Sequence, residues 1–240
     1  FYLPPSDLAV TFAAQKKRAM EFSPQIIALL FSSAIIAAFI QRVSGFGFGI
    51  FIMTLLPLFM PSYGESTTLS GLLALSQSLV VAIQMHKYIV WKRIIPMLTA
   101  FLLVSYITIG YVASFEYSFL MHILGITLIV LSIYFFFFSS KIHIKQSIPM
   151  QFGIGSISGV MGGFFGMQGP PAVLYYVQSE PDKNSYSAQT QVYFVTGNIF
   201  MSFVRAQNGF FTIDVGKAWI FAIAGVVVGT IIGSMVFKRI

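Results

Sequence analysis

The sequence predicts an all-α integral membrane protein made of two pseudo-repeats of about four transmembrane helices each. Of the 240 residues, 57% are hydrophobic and 9% are charged, whereas a soluble domain carries about 25% charged residues. Apolar runs such as 26–40 and 123–138 are longer than the core of a small soluble domain requires. The lipid bilayer is therefore the expected surroundings of the chain.

Seven apolar segments follow one another along the chain and predict seven membrane elements. Five of them have close to the ~20 residues that a spanning helix needs. The first and the fifth are much longer and are interrupted by glycines, which predicts a broken or re-entrant helix in each. The segments are 24–60, 66–86, 94–112, 117–138, 149–178, 186–208 and 217–237.

Residues 1–23 precede the first apolar segment and are too polar to span a bilayer, which predicts a juxtamembrane segment. The basic residues at 16–18 place the amino terminus in the cytoplasm by the positive-inside rule. When each long segment is counted as one net crossing of the membrane, the loop with Arg93 is predicted in the cytoplasm and the loop with Glu180 on the opposite, outer side.

An internal repeat appears when residues 90–110 are aligned with residues 213–233. The glycine-rich segments 41–59 and 156–177 take matching places when a gap of several residues is allowed. Repeats are a common way to build transporters, whose sites lie where the halves meet.

The repeat divides the chain into a first membrane repeat at 24–138 and a second at 139–240. The first half contains four elements and the second contains three. The alignment therefore predicts an eighth span beyond Ile240, in a longer protein.

Glycines at Gly45, Gly47 and Gly49 predict an opened backbone in the first long segment. Each would destabilise a regular helix by roughly 1 kcal/mol relative to alanine. An unwound stretch in the membrane lies against protein or a wet cavity, and its free N–H groups can bind an anion. The preceding Ser44 is included in this candidate site. The alternative interpretation is close helix packing through small residues.

The second glycine cluster predicts a helix that stops and restarts. Gly169 is followed by Pro170 and Pro171, which lack N–H donors and disfavour helix at the preceding residue. Proline is favourable at the start of the new half-helix, whose free N–H groups would point towards whatever Gln168 faces. Gly166 precedes this break. The alternative is a kink with a structural role alone.

Three polar side chains within apolar segments are further candidates. Arg42 precedes the first glycines, and a charge at the bilayer centre costs about 3 kcal/mol, so it should face a cavity, a partner or the interface. Its guanidinium suits carboxylate, sulfonate or phosphate oxygens. For Arg205, snorkelling to the cytoplasmic interface is favoured over ligand contact. Asn198 could line a hydrophilic path or bond to a neighbouring helix.

The residue types exclude or disfavour several functions. The chain has no cysteine, which excludes disulfides and thiolate chemistry. Its histidines are scattered, so neither a metal nor another cofactor is predicted. No acidic residue lies at the centre of a span, which disfavours a membrane enzyme. The basic residues lie mostly between apolar runs, as topology signals do, which argues against nucleic acid as a partner.

The chain resembles the TauE/SafE family of sulfite and organosulfonate exporters, also called the 4-toluene sulfonate uptake permease family, over about 38–240. The most specific evidence for this resemblance is the stretch GGFFGMQGPPAVLYY at 162–176. Three further stretches resemble the family: SGFGFGIFIMTLLPLF at 44–59, HKYIVWKRIIP at 86–96 and GVVVGTIIGSMVFKRI at 225–240.

The resemblance implies about eight spans in two related halves and a small sulfur-containing or carboxylate anion as cargo. It also implies the plasma membrane of a bacterium. The family often has GIGG before a proline, whereas this chain has Gly166, Met167, Gln168 and Gly169. Substrate identity is left open by that difference.

These observations lead to the hypothesis of a secondary transporter whose anion site lies between the two breaks. Arg42 would supply positive charge, Gln168 and Asn198 would supply neutral hydrogen bonds, and rocking of the halves would alternate access. An anion channel with the breaks as a constriction is the alternative. Assembly into a homo-oligomer is compatible with the sequence, which does not specify it. The site residues predicted are Arg42, Ser44, Gly45, Gly47, Gly49, Gly166, Gln168, Gly169, Pro170, Asn198 and Arg205.

Overall fold

The computed structural model describes residues 20–137, 147–180, 182–237 and 239, and the regular structure of this part of the chain is helical. Five of its helices are long and apolar enough to cross a membrane. The prediction of an all-α integral membrane protein is confirmed. The α-helices are α1 (Pro24–Ser44), α2 (Phe48–Ile52), α3 (Tyr63–Gln84), α4 (Trp91–Val112), α5 (Tyr117–Phe137), α6 (Ile148–Phe165), α7 (Gly169–Ser179), α8 (Lys183–Gln207) and α9 (Ile213–Phe237).

Both long segments are broken at the glycines, as predicted. Helix α1 ends at Gly45 with φ +87°, and Gly47 follows with φ +100°. Helix α6 ends at Gly166 with φ +66°. These positive φ values are accessible to glycine at little cost, which is why the chain can turn sharply at these points.

Four of the long helices begin with a side-chain cap, whereas α4 and the half-helices α2 and α7 do not. A side-chain oxygen at the start of α1, α3, α6 and α8 accepts a hydrogen bond from a first-turn N–H group, which stabilises the helix end. The N-cap residues of the half-helices are Gly47 and Gln168, and neither side chain makes such a hydrogen bond. The capping residues are Ser23, Ser62, Ser147 and Asp182.

One end of the helix bundle is named here the Arg93 end, and it holds Arg93, Glu180, Lys183 and Phe237. Arg93 Nη1 donates a hydrogen bond to Glu180 Oε2 over 2.7 Å. Lys183 Nζ donates to the carbonyl of Phe237 over 2.8 Å. The ends of α7 and α9 and the beginnings of α4 and α8 therefore lie together.

The prediction that Glu180 lies across the membrane from Arg93 is wrong. Helix α7 runs back towards the start of α6. This direction is shown by a hydrogen bond of 2.8 Å that Gln151, in the first turn of α6, donates to the Tyr175 hydroxyl near the end of α7. The fifth apolar segment thus enters the bundle and returns to the same end. It makes no net crossing.

The opposite end of the bundle, the Asp214 end, holds Met20, Pro57, Tyr117 and Asp214. The Met20 N–H donates to Asp214 Oδ2 over 3.1 Å, and the Tyr117 hydroxyl donates to the carbonyl of Pro57. The first apolar segment therefore begins and ends here and also makes no net crossing.

The helices of the two predicted repeats are interleaved. Helix α1 packs along α9, and α6 packs along α4, so each broken segment lies against a helix of the other repeat. Helices α3 and α8, one from each repeat, pack against each other and also contact α9 and α4 respectively. The repeat boundaries at 24–138 and 139–240 stay a prediction.

Glycines repeated at every fourth position produce the closest helix contacts. A Cβ atom on Gly229 of α9 would lie 2.3 Å from the carbonyl oxygen of Ile35 on α1. A Cβ on Gly155 of α6 would lie 2.2 Å from the carbonyl oxygen of Met97 on α4. Only glycine permits this approach, so packing through small residues explains this set. The set is Gly225, Gly229 and Gly233 on α9 and Gly155, Gly159 and Gly163 on α6.

Candidate functional site

The two breaks meet in the interior of the protein. A Cβ atom added to Gly49 would lie 2.8 Å from the carbonyl oxygen of Gly166 and 3.3 Å from the Cα of Met167. The first break therefore touches the second backbone to backbone, with no room for a larger residue at Gly49.

A small cavity of about 20 Å³ lies between the breaks. This volume admits about one water molecule. Its wall comes from both broken segments and from the crossing helices α3 and α8. The lining residues are Gln41, Gly47, Gly49, Ile50, Ala74, Gly166, Met167, Gln168, Gly169, Pro170, Phe194 and Asn198.

The amino-terminal ends of α2 and α7 both border this cavity. First-turn N–H groups have no acceptor within their own helix, and neither end carries a side-chain cap. In α7, Pro170 and Pro171 have no N–H group, so the N–H groups of Gln168 and Gly169 are the donors at that end. Helix amino termini carry partial positive charge and attract anions.

Gln168 joins the second break to α8. Its Nε2 donates to the carbonyl of Phe194 over 3.2 Å, and its own carbonyl accepts from the Ser158 hydroxyl over 2.8 Å. The side chain lies against Gly197, where a Cβ would be 2.3 Å from Gln168 Oε1. That buried Oε1 atom has no hydrogen-bond partner. Gln168 is thus held in place, and the second hydrogen of its Nε2 group is the part of the amide that could be donated to an anion.

Two other amide side chains line the cavity. Asn198, a predicted site residue, is buried. Gln41 was not predicted, although it lies one helical turn before Gly45 in the sequence. Its Nε2 donates to the Ser78 hydroxyl over 3.1 Å. The apolar wall residues, such as Phe194, carry no local sequence signal that sets them apart from lipid-facing residues.

Arg42 lies outside the cavity lining. Its Nε donates to the Ser234 hydroxyl over 2.8 Å, and its guanidinium carbon lies 4.4 Å from the centre of the Phe237 ring. Both partners belong to α9. The Arg42 charge therefore lies at the contact between α1 and α9, where a cation–π interaction with Phe237 stabilises it.

Arg205 does not snorkel to the membrane interface, so that interpretation is wrong. The residue is 1% exposed, and Nη2 donates to the carbonyl of Gly162 over 2.7 Å. Nη1 donates to the carbonyl of Thr67 over 3.1 Å. The guanidinium thus caps the last turn of α6, where helix carbonyls are unpaired and the dipole favours a cation. It ties the second break to α3.

Ser44 and Gly45 complete the end of α1 and are also outside the cavity lining. The Ser44 hydroxyl lies 2.8 Å from the carbonyl of Ile40. The carbonyl of Gly45 accepts from Gln191 Nε2 over 3.4 Å, and the Tyr186 ring covers the position that a Gly45 Cβ would occupy.

The cavity brings together seven of the eleven predicted site residues, and their role in binding stays a prediction. Within the described residues, no group of three His, Asp or Glu side chains is placed to hold a metal ion. The seven residues are Gly47, Gly49, Gly166, Gln168, Gly169, Pro170 and Asn198.

Comparison with known families identifies one match. The family model described as sulfite exporter TauE/SafE matches residues 30–240. This range contains both breaks and every residue that lines the cavity. No curated protein and no solved structure matches the chain.

Proposed function

The chain belongs to the TauE/SafE sulfite exporter family of membrane transporters, and on this basis we propose that it carries a small oxyanion through a site between its two breaks. The proposed substrate class is sulfite, an organosulfonate or a related carboxylate. The observation that carries the proposal is the meeting of both breaks at one cavity, with the uncapped amino terminus of α7 and the start of the five-residue helix α2 beside it.

The proposed site binds its anion without a charged side chain. No Lys or Arg is among the residues that line the cavity. The donors are the N–H groups of Gln168 and Gly169, those at the start of α2, and the amides of Gln41, Gln168 and Asn198. A helix amino terminus suffices to attract an oxyanion, and neutral amide donors bond to it more weakly than a guanidinium does. Such a site suits a carrier, which must release its substrate.

The size of the cavity supports alternating access. About 20 Å³ holds one water molecule, so an anion of several atoms binds only after the breaks separate. The left-handed glycines Gly45, Gly47 and Gly166 adjoin the half-helices that must move, and chain segments of this kind can absorb the change. We infer that the structure represents a closed state of the transport cycle.

Gln168 offers the most direct test of this site. Thermal unfolding of the full chain in detergent would be measured with sulfite, methanesulfonate, acetate and chloride. A ligand at a hundred times its dissociation constant adds about 2.7 kcal/mol to stability. We expect sulfite or the sulfonate to stabilise the protein and Gln168→Ala to weaken the effect. Arg42→Gln should retain it, because its guanidinium binds Ser234 outside the cavity.

Two outcomes would contradict the proposal. Stabilisation by none of these anions would rule out an oxyanion as the substrate. Stabilisation of undiminished size in Gln168→Ala would show that no anion binds between the breaks. Counterflow of labelled sulfite in proteoliposomes separates a carrier from the channel considered above, since only a carrier shows it.

We also propose that the Arg93 end faces the cytoplasm of a bacterial cell. Among the described residues, positive charges outnumber negative ones at this end, and the reverse holds at the Asp214 end. An excess of Lys and Arg marks the cytoplasmic side of a membrane protein. The start of α1 then faces outwards, the reverse of the orientation predicted from the basic residues at 16–18. That prediction rested on those basic residues alone, and the Arg93 loop was placed on the same side because each long segment was counted as one net crossing. The charges at the Arg93 end are Arg42, Lys87, Lys92, Arg93, Lys183 and Arg239 against Glu180 and Asp182. Those at the Asp214 end are the buried Arg205 and Lys217 against Glu21, Glu65, Glu116 and Asp214.

Cysteine labelling should reveal this orientation without background, because the chain has no cysteine of its own. Lys92 and Glu116 are exposed and lie at the Arg93 and Asp214 ends respectively. We expect Glu116→Cys to react with a membrane-impermeant maleimide in intact cells and Lys92→Cys to react only after permeabilisation. The opposite pattern would place the Arg93 end outside.

A further inference from the structure

A second cavity, of about 260 Å³, opens at the Arg93 end. It lies where the beginnings of α4 and α6 meet the end of α7, and it is separate from the cavity between the breaks. Its lining is largely polar and includes a cationic side chain. The residues are Arg93, Ser147, Ile148, Gln151, Tyr175 and Ser179.

This cavity adjoins an ion pair in which the two partners differ in exposure. Arg93 Nη1 lies 2.7 Å from Glu180 Oε2. The Glu180 side chain is 0% exposed, whereas that of Arg93 is 48% exposed. Glu180 Oε1 has no hydrogen-bond partner. A buried carboxylate with an unpaired oxygen is costly, and a buried carboxylate that has lost its cation is more so. Exchange for another anion therefore requires the Glu180 side chain to move into water.

Other polar groups at the cavity are incompletely paired. The buried Ser179 hydroxyl has no partner. The Tyr175 hydroxyl accepts a hydrogen bond from Gln151 Nε2, which leaves its own hydrogen free to be donated. Together with the Arg93 guanidinium, these hydroxyls form a set of donors suited to sulfonate, sulfite or carboxylate oxygens.

We propose that this cavity is a second anion-binding site, in which an incoming oxyanion binds Arg93 in place of the Glu180 carboxylate. The inference rests on the proposed function, since the anion is the transported substrate. The cavity holds about 260 Å³, against about 20 Å³ between the breaks. An anion can therefore bind here while the central site is closed.

Binding at this second site would act on the central site through α7. Glu180 is the C-cap of α7, and the other end of α7 begins at Gly169, in the wall of the central cavity. The ion pair with Arg93 ties the end of α7 to α4. An anion that takes the place of the carboxylate releases this tie and favours the state in which the breaks separate.

The test is the number of anions bound by the full chain in lipid nanodiscs. Equilibrium dialysis with ³⁵S-labelled sulfite under anaerobic conditions should give two sulfites per wild-type chain. Arg93→Gln should leave one. Glu180→Gln should keep two and tighten the second site about tenfold, because the neutral amide competes less well for Arg93. Lys92→Gln, a loss of the same charge on the neighbouring exposed residue, should change neither value.

The outcomes separate this inference from the proposed function. A wild-type chain that binds no sulfite contradicts both. A single sulfite that is lost in Gln168→Ala, with unchanged binding in Arg93→Gln and Glu180→Gln, overturns the second site and leaves the central one in place. Because Glu180→Gln predicts a gain of affinity, a misfolded variant cannot imitate its expected result.

Discussion

Gly49→Ala is expected to reduce sulfite transport about tenfold or more while the protein stays folded. The added Cβ would lie 2.8 Å from the carbonyl oxygen of Gly166, so the backbone of one break must shift. The donors at the two breaks would then no longer converge on one anion. A tenfold change corresponds to about 1.4 kcal/mol, which a displacement of a few tenths of an ångström in hydrogen-bond geometry can account for.

Uptake of labelled sulfite into proteoliposomes measures this effect. Gly153→Ala is the matched control, because Gly153 lies in α6 and a Cβ there meets no atom within 4 Å. It should transport at the wild-type rate. A Gly49→Ala protein that transports as fast as Gly153→Ala would show that close contact between the breaks is not needed for transport.

Arg205→Ala is expected to have the largest effect on stability, a loss of about 3–5 kcal/mol. The substitution leaves a cavity where a fully buried side chain was. It also removes the donors that pair with the carbonyls of Thr67 and Gly162. Because these carbonyls are buried inside the protein, water does not replace the lost donors. We therefore expect little folded protein to accumulate.

Size-exclusion chromatography and thermal unfolding in detergent check this expectation. Arg205→Lys should fall between wild type and Arg205→Ala, because a single ammonium group cannot reach carbonyls on both α3 and α6 as the planar guanidinium does. Lys92→Ala, which removes an exposed cation, should unfold at the wild-type temperature. An Arg205→Ala protein as stable as Lys92→Ala would show that capping of α6 contributes little.

The membrane class and the positions of the breaks could be predicted because they depend on local properties. Composition and the length of apolar runs decide that the chain folds in lipid. A positive φ at Gly45, Gly47 and Gly166 requires glycine, and Pro170 starts a new half-helix. Site residues at the breaks themselves, such as Gly49 and Gln168, were predicted for the same reason.

The partners of the charged residues depend on contacts between distant parts of the chain. Arg205 and Gly162 are separated by 43 positions, and Arg42 and Ser234 by 192. A sequence pattern shows that a buried guanidinium needs a partner, but only the helix packing selects which one. For this reason Arg205 was predicted at the interface and is instead fully buried.

The sequence by itself determined an all-helical membrane protein with two glycine breaks, since hydrophobicity and backbone preference act over a few residues. Only the tertiary structure decided that α7 returns to the Arg93 end, so that Glu180 pairs with Arg93. It also decided that both breaks share one cavity, to which α1 and α8 add Gln41 and Asn198. The physical reason is that a break permits many directions for the next helix, and packing against other helices selects one of them.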